Sequence, residues 1–152
     1  MSDIKVSYFW SKIFPSMFRS EMTLRVRYAE TDRMGYAYYG NYATWFEVGR
    51  VEALRALGLN YRELEDEGIL LPVIDFHTRY LKPAFYDDEL TVTTMIPELP
   101  GPRIVFHYEV HNAAGDLLNK AETQLVFLDK ATGRPTRPPQ AFMERIAGFF
   151  EA

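Results

Sequence analysis

Three features of this chain predict an α+β fold in which a curved antiparallel β-sheet wraps around one long central helix. Four strand-like runs succeed one another in its second half, joined by short turn-forming segments, which makes neighbouring strands antiparallel. A single long helical run precedes them. An antiparallel sheet with one buried face needs a cover, and this run is the one sizeable candidate. At 152 residues the chain suits one domain with its own core.

The elements follow in order. From Met22 to Tyr28, Leu24, Val26 and Tyr28 alternate with Thr23, Arg25 and Arg27, as in a strand with one wet face. A loop over Asp32 to Gly40 comes next. Asn41 is the expected N-cap of a helix running to Leu57 and stopped by Gly58. Such a helix would be about 25 Å long. Its small residues Gly49, Ala53 and Ala56 recur three or four apart and give a face on which backbone can lie close, while Trp45, Val48 and Leu57 supply bulk elsewhere. Asn60 opens a short helix, with Glu63 three residues on and Gly68 at its end.

Strands are then expected over Leu70 to Leu81, Glu89 to Ile96, Arg103 to His111 and Leu117 to Leu128. The turns between them are Pro83 to Asp88, Pro97 to Pro102 and Asn112 to Asp116. Gln140 to Phe150, entered after Pro138-Pro139, reads as a terminal helix. The organisation expected is an N-terminal arm over 1–20 and a single domain over 21–152.

Composition narrows the function. The balance of 47% hydrophobic and 25% charged residues is that of an ordinary globular domain, and a net charge of −4 gives no footprint for nucleic acid. An aromatic share of 15% points to flat apolar surfaces at an interface or in a pocket. There is no cysteine, so disulfides and thiolate metal sites are excluded. A cytoplasmic location is compatible with this and is the expectation. All five serines fall within the first twenty residues, so the body of the chain holds neither a serine nor a thiol nucleophile.

The arm carries Lys5, Lys12 and Arg19 with Val6, Trp10, Ile13, Phe14 and Met17 at helical spacing. So few cations make a weak membrane footprint, and docking on its own domain or on a neighbouring subunit is expected instead. His107 and His111 share a strand face but lie about 13 Å apart at strand rise, too far to share a metal. No metal site is expected. Glu47 and Arg50 are helix neighbours suited to an ion pair.

One dense polar-aromatic stretch remains, Tyr28 to Tyr42, with a single carboxylate, Asp32, ahead of the helix start. Thr31-Asp32-Arg33-Met34-Gly35 reads equally as a turn in which Asp32 serves nearby N–H groups. Context favours chemistry. The loop returns to a helix N-terminus, whose unpaired N–H donors can hold the oxyanion formed when a carbonyl is attacked.

The pattern Tyr28-x-x-Thr31-Asp32-x-x-Gly35-x-x-Tyr38-Tyr39-Gly40-Asn41-Tyr42, continued by Trp45-Phe46-Glu47 and Arg50, resembles the hotdog-fold acyl-CoA thioesterases of the 4-hydroxybenzoyl-CoA thioesterase type. Tyr80-Leu81-Lys82-Pro83-Ala84-x-Tyr86-Asp87-Asp88-x-Leu90 resembles that family's later strand and turn. The resemblance spans roughly Met22 to Leu128. It implies hydrolysis of an acyl-CoA without metal or organic cofactor. Asp32 would be nucleophile or general base, and the backbone N–H groups of Tyr39 and Gly40 the oxyanion site. It also implies a homodimer or homotetramer, with Pro72 and Val73 of the partner lining the acyl pocket.

The chain departs from the family at the segment that should contact the CoA nucleotide. Leu99-Pro100-Gly101-Pro102-Arg103 offers one cation there, so either CoA is anchored differently, with Lys82 and Arg103 as the expected contacts, or another thioester carrier is used. Two rival functions share the architecture. A dehydratase or hydratase would need a histidine near the helix start, and none precedes His77. A non-catalytic acyl-thioester binding protein would bind without releasing thiol.

Overall fold

The computed structural model describes residues 17–150, so expectations for the arm over residues 1–16 lie outside the described residues. The fold is α+β. Five strands, β1 (Phe18–Arg25), β3 (Val73–Tyr80), β4 (Glu89–Ile96), β5 (Arg103–Asn112) and β6 (Leu117–Val126), form one antiparallel sheet. Their order is β1-β4-β5-β6-β3. A separate pair joins β2 (Ile69–Leu70) to β7 (Leu128–Asp129). The helices are α1 (Asn41–Ala56), α2 (Tyr61–Asp66) and α3 (Gln140–Ala147).

Several boundaries differ from the sequence reading. β1 starts at Phe18, inside the segment expected to be arm, and its register runs unbroken from Phe18 opposite Ile96 to Arg25 opposite Glu89. Beyond Val26 the chain winds into a 3-10 turn over Tyr28–Glu30, which leaves Tyr28 exposed instead of on the inner face. The run expected over Leu70 to Leu81 is cut at Pro72, which has no N–H for a ladder and whose carbonyl accepts from the Val126 N–H at 3.2 Å. A register shift between Val73 and Asp75 follows. The last strand is likewise interrupted at Phe127, a fully buried residue whose N–H turns to the Pro102 carbonyl.

Helix α1 crosses the sheet with Tyr42, Trp45, Phe46, Gly49, Arg50, Ala53 and Leu54 buried, a three-and-four spacing that defines one face. Ala56, expected on that face, is exposed. The helix closes as expected, with Gly58 at φ +77 and the Leu59 N–H reaching back to the Leu54 carbonyl. Its start differs. Gly40 is the cap residue, and the Asn41 side chain donates to the Glu30 carbonyl at 2.6 Å instead of accepting from the helix. Asn60 does cap α2, accepting from the Arg62 N–H at 2.8 Å.

α1 lies close against the sheet at Gly49. A Cβ there would lie 2.7 Å from Thr94 Oγ1 and 3.3 Å from Val92 Cγ1. Glycine at this point lets the helix rest directly on β4. Gly49→Val is expected to cost about 1–3 kcal/mol by overpacking. Urea unfolding should show a lower midpoint, and an unchanged midpoint would refute the close-packing role.

Candidate active site

The loop between the 3-10 turn and α1 is fixed before any functional side chain is considered. Glu30, 7% exposed, is its pin. Its Oε1 accepts from the Arg27 N–H at 2.8 Å and lies 3.2 Å from Arg27 Nε, while Oε2 accepts from the Trp45 indole N–H at 2.8 Å. Its carbonyl accepts from the Tyr38 N–H at 2.7 Å and from Asn41 Nδ2. One residue therefore holds the chain before the loop, the chain after it and the helix itself. Burial pushes the Glu30 carboxyl upward, but hydrogen bonds from the Arg27 N–H and the Trp45 indole, with the Arg27 guanidinium, outweigh burial and hold it below the usual carboxylate range.

Within the loop, Thr31 and Ala37 form an antiparallel bridge, and the Asp32 N–H donates to the Tyr36 carbonyl at 2.7 Å. Gly35, at φ +85, makes the reversal. Asp32 Oδ1 accepts from the Met34 N–H at 2.9 Å and the Tyr36 N–H at 3.1 Å. Both readings of Asp32 meet here: one oxygen shapes the turn. No described residue hydrogen-bonds to its second oxygen, and the half-buried side chain lines a cavity of about 300 Å³.

Tyr39 lines the same cavity, as do Tyr36, Tyr42, Tyr80 and Lys82. The Asn41 and Tyr42 N–H groups bond back to the Tyr38 and Tyr39 carbonyls, whereas no described acceptor takes the Tyr39 or Gly40 N–H. Gly40 itself is not among the lining residues. The Tyr80 hydroxyl donates to the Tyr39 carbonyl at 3.0 Å and so ties the helix start to β3. Burial, with the charges of Tyr80 and Asp88, pushes the Tyr42 phenol up to about 12, so this cavity wall stays neutral at physiological pH. No histidine lines the cavity.

The other expected residues divide. Lys82 stands at the cavity with its ammonium 3.7 Å from Asp116. Arg103 is at the far end of β5, a strand about 30 Å long, whereas Lys82 sits beside the β5–β6 turn. One chain does not bring these two cations to one cavity. Pro72 and Val73 stand at the end of β3 opposite Tyr80, and Val73 lines a second cavity of about 270 Å³.

No ion pair joins Glu47 to Arg50 among the described residues. Arg50 instead donates to the phenol oxygens of Tyr61 and Tyr108, each at 3.1 Å. His77 lies 3.1 Å from Asp75, and His107 3.7 Å from Glu122. No group of three metal-ligating side chains occurs among the described residues.

Glu30 was missed by the sequence reading. The signal available was its position two residues ahead of Asp32 and fifteen ahead of Trp45, which becomes informative only once the loop is known to fold back. Since its folded pKa is lowered, its ionised form stabilises the fold above the unfolded carboxyl value of about 4.3, and this is lost as pH falls through the folded value. Glu30→Gln leaves one acceptor facing two donors. It should cost about 1–3 kcal/mol at pH 7, with the gap to wild type shrinking below about pH 4. Urea titrations at both pH values check this, and a pH-independent gap would contradict it.

Residues 26–146 match the family described as the thioesterase-like superfamily. A putative acyl-CoA thioesterase, YneP of Bacillus subtilis, is 39% identical over 81% of this chain and 89% of its own length. A solved DHNA-CoA thioesterase from Staphylococcus aureus is also 39% identical, with a TM-score of 0.75, covering 78% of this chain and 80% of that one. A 4-hydroxybenzoyl-CoA thioesterase structure, 24% identical, superposes with a TM-score of 0.76 over 85% of this chain and 99% of its own, a likeness of fold.

Proposed function

This chain belongs to the thioesterase-like superfamily and has the hotdog fold, and from that premise we propose that it hydrolyses an acyl-CoA thioester at the Asp32 cavity. The observation that carries the reading is the meeting, in one cavity, of a carboxylate with one oxygen unengaged and a helix start with an N–H unengaged. The thioester carbonyl lies against the helix start, where the Tyr39 N–H holds the oxygen that gains charge as the carbon is attacked. Asp32 acts from the other side, either attacking the carbon directly or taking a proton from the water that does. The carbon–sulfur bond breaks, the free acid receives the water oxygen, and CoA leaves as its thiol. These steps use no metal.

Each supporting group serves that geometry. The Met34 and Tyr36 N–H groups fix Asp32 Oδ1, so the second oxygen is presented in one orientation. Tyr36, Tyr42 and Tyr80 supply apolar walls that exclude water, and Lys82 at the cavity meets the CoA moiety as a point charge. Arg103 is too remote within one chain to share that task.

The assembly in this reading is a homodimer or homotetramer. β3 has β6 as its one partner among the described residues, and Val73, Ile74, Phe76 and Tyr80 along it are exposed. An edge of this kind is a template for pairing with a second copy, whose Pro72–Val73 corner then closes the acyl pocket. The reading includes a cytoplasmic protein acting on acyl-CoA without a membrane or nucleic-acid partner. No described helix is long and apolar enough to cross a membrane.

Asp32→Asn keeps an oxygen for the Met34 and Tyr36 N–H groups while removing nucleophilicity and basicity. Turnover measured by thiol release across short, long and aromatic acyl-CoAs should fall by about 10²–10⁴-fold, with the unfolding midpoint nearly unchanged. Retained turnover would remove Asp32 from the mechanism.

A further inference from the structure

The face of the sheet turned away from α1 is buried at a place where no described helix lies over it. Val92 and Thr94 meet the helix at Gly49, so alternation turns Thr91, Thr93 and Met95 to the other face. The register carries that face across the sheet. Thr93 stands opposite Glu21 and Glu109, Met95 opposite Arg19 and His107, and Thr91 opposite Thr23 and His111. On its flanks the face is open, with Glu21 and Thr23 on β1 and His77 and Arg79 on β3 exposed. Along its centre it is closed: Thr93 and Glu109 are each 2% exposed, Met95 3% and His111 7%.

The described helices do not supply this cover. α1 lies on the opposite face, and Leu64 of α2 with Phe142 and Ile146 of α3 join the core beneath it. Met95, although buried, is not part of that core. A glutamate on a bare sheet face keeps its carboxylate in water, as Glu21 does, whereas Glu109 on the same face does not. The burial is complete within a single copy of the chain, so it does not come from a second one. Beyond the described residues the chain has 1–16 at one end and 151–152 at the other. A dipeptide is too short to cover a strip running from Met95 to His111.

We propose that residues 1–16 dock across the β4–β5 strip of this outer face and close it. Their point of departure suits the task, since β1 begins at Phe18 and Arg19 stands opposite Met95 at one end of the strip. From His107, opposite Met95, to His111 is about 13 Å at strand rise. A segment of this length reaches about 24 Å even at helical rise. Two strands are about 10 Å wide, the breadth of one chain segment with its side chains. Composition agrees with position. Ile4, Val6, Trp10, Ile13 and Phe14 offer apolar surface to Met95 and the threonine methyls, and Lys5 and Lys12 bring positive charge to the face that holds Glu109. The sheet is thereby covered on both faces within one copy. The strip is closed to a second copy, while the β3 edge stays open for pairing.

Thiol labelling tests this, because the chain has no cysteine of its own. Thr93→Cys puts a single thiol in the strip, and Thr23→Cys puts one on the exposed flank of the same face as a reference. A maleimide should label the Thr93→Cys protein at least about 100-fold more slowly than the Thr23→Cys protein. Adding Trp10→Asp and Phe14→Asp to Thr93→Cys places charges on the apolar residues of the segment. The labelling rate should then rise to within about tenfold of the reference. Equal labelling of the two single variants overturns the proposal. So does protection that survives the two charges, or that fades on dilution of the chain with its segment intact, since either assigns the strip to a second copy. Where the doubly charged protein does not fold, acrylamide quenching decides, with the difference between wild type and Trp10→Phe isolating the Trp10 indole. Quenching several-fold weaker than that of free indole, and independent of protein concentration, upholds the docked segment. Quenching as strong as that of free indole, or weak only in concentrated protein, overturns it.

Discussion

A buried carboxylate that has to satisfy two donors at once is the constraint on which the rest of this molecule depends. Glu30 reaches an indole on α1 with one oxygen and the backbone of Arg27 with the other, and its own carbonyl secures Tyr38 and Asn41. Between those anchorages the chain has just enough residues to form a tight bridge, reverse at Gly35 and present Asp32. Asp32 and the first turn of α1 are thus referenced to one residue. Without its carboxylate, the Trp45 indole and the Arg27 N–H would lose their acceptor, and the loop would be tied to the helix start only by the bonds at the Glu30 carbonyl and its neighbours. Site geometry of this kind rests on supporting hydrogen bonds as much as on the reacting groups.

A second level of organisation is the seat of α1 on the sheet. Gly49 brings the helix against Val92 and Thr94, and the face on either side of it carries large rings. Toward β3 those rings are buried against it, Tyr42 meeting Tyr80 at 5.3 Å and Phe46 meeting Phe76 at 6.1 Å. One cavity lies on the Asp32 side of these contacts and a second beside Val73 and Phe76. A small residue seats the helix on β4, and aromatic ones space it from the edge strand.

The fold was legible wherever one physical rule acted alone. Thr and Val content located β4 and alternation located β5 almost to the residue, and Gly58 and Asn60 marked the end of one helix and the start of the next. Where two rules competed, the reading slipped. The alternation ending at Tyr28 continues the pattern of a strand, but the pull of Glu30 toward Trp45 turns the chain first. Pro72 lies in an apolar run that otherwise looks continuous, and its missing N–H divides that run into β2 and β3. Asn41 has the chemistry of a cap, yet the Glu30 carbonyl claims its amide. Asp32 was singled out by its place ahead of the helix start and Tyr39 by the family resemblance, and both line one cavity. Arg103 was named with Lys82 because it is the one cation in the segment that in the family contacts the nucleotide, and the sequence does not reveal that the two stand at opposite ends of β5. The ion pair expected of Glu47 and Arg50 failed for a similar reason: helical spacing permits it, but two phenols from α2 and β5 reach the guanidinium.

Anchoring Asp32 through one of its oxygens also explains why aspartate, and not its longer homologue, suits this position. The two amides that grip Oδ1 belong to residues two and four places further on, within a turn whose dimensions are set by a side chain with one methylene. Adding a second methylene would carry the carboxylate beyond those amides, freeing it to rotate and leaving two main-chain donors facing solvent. Chain length at this residue therefore encodes both the shape of the turn and the bearing of the charged group, and neither can drift without the other.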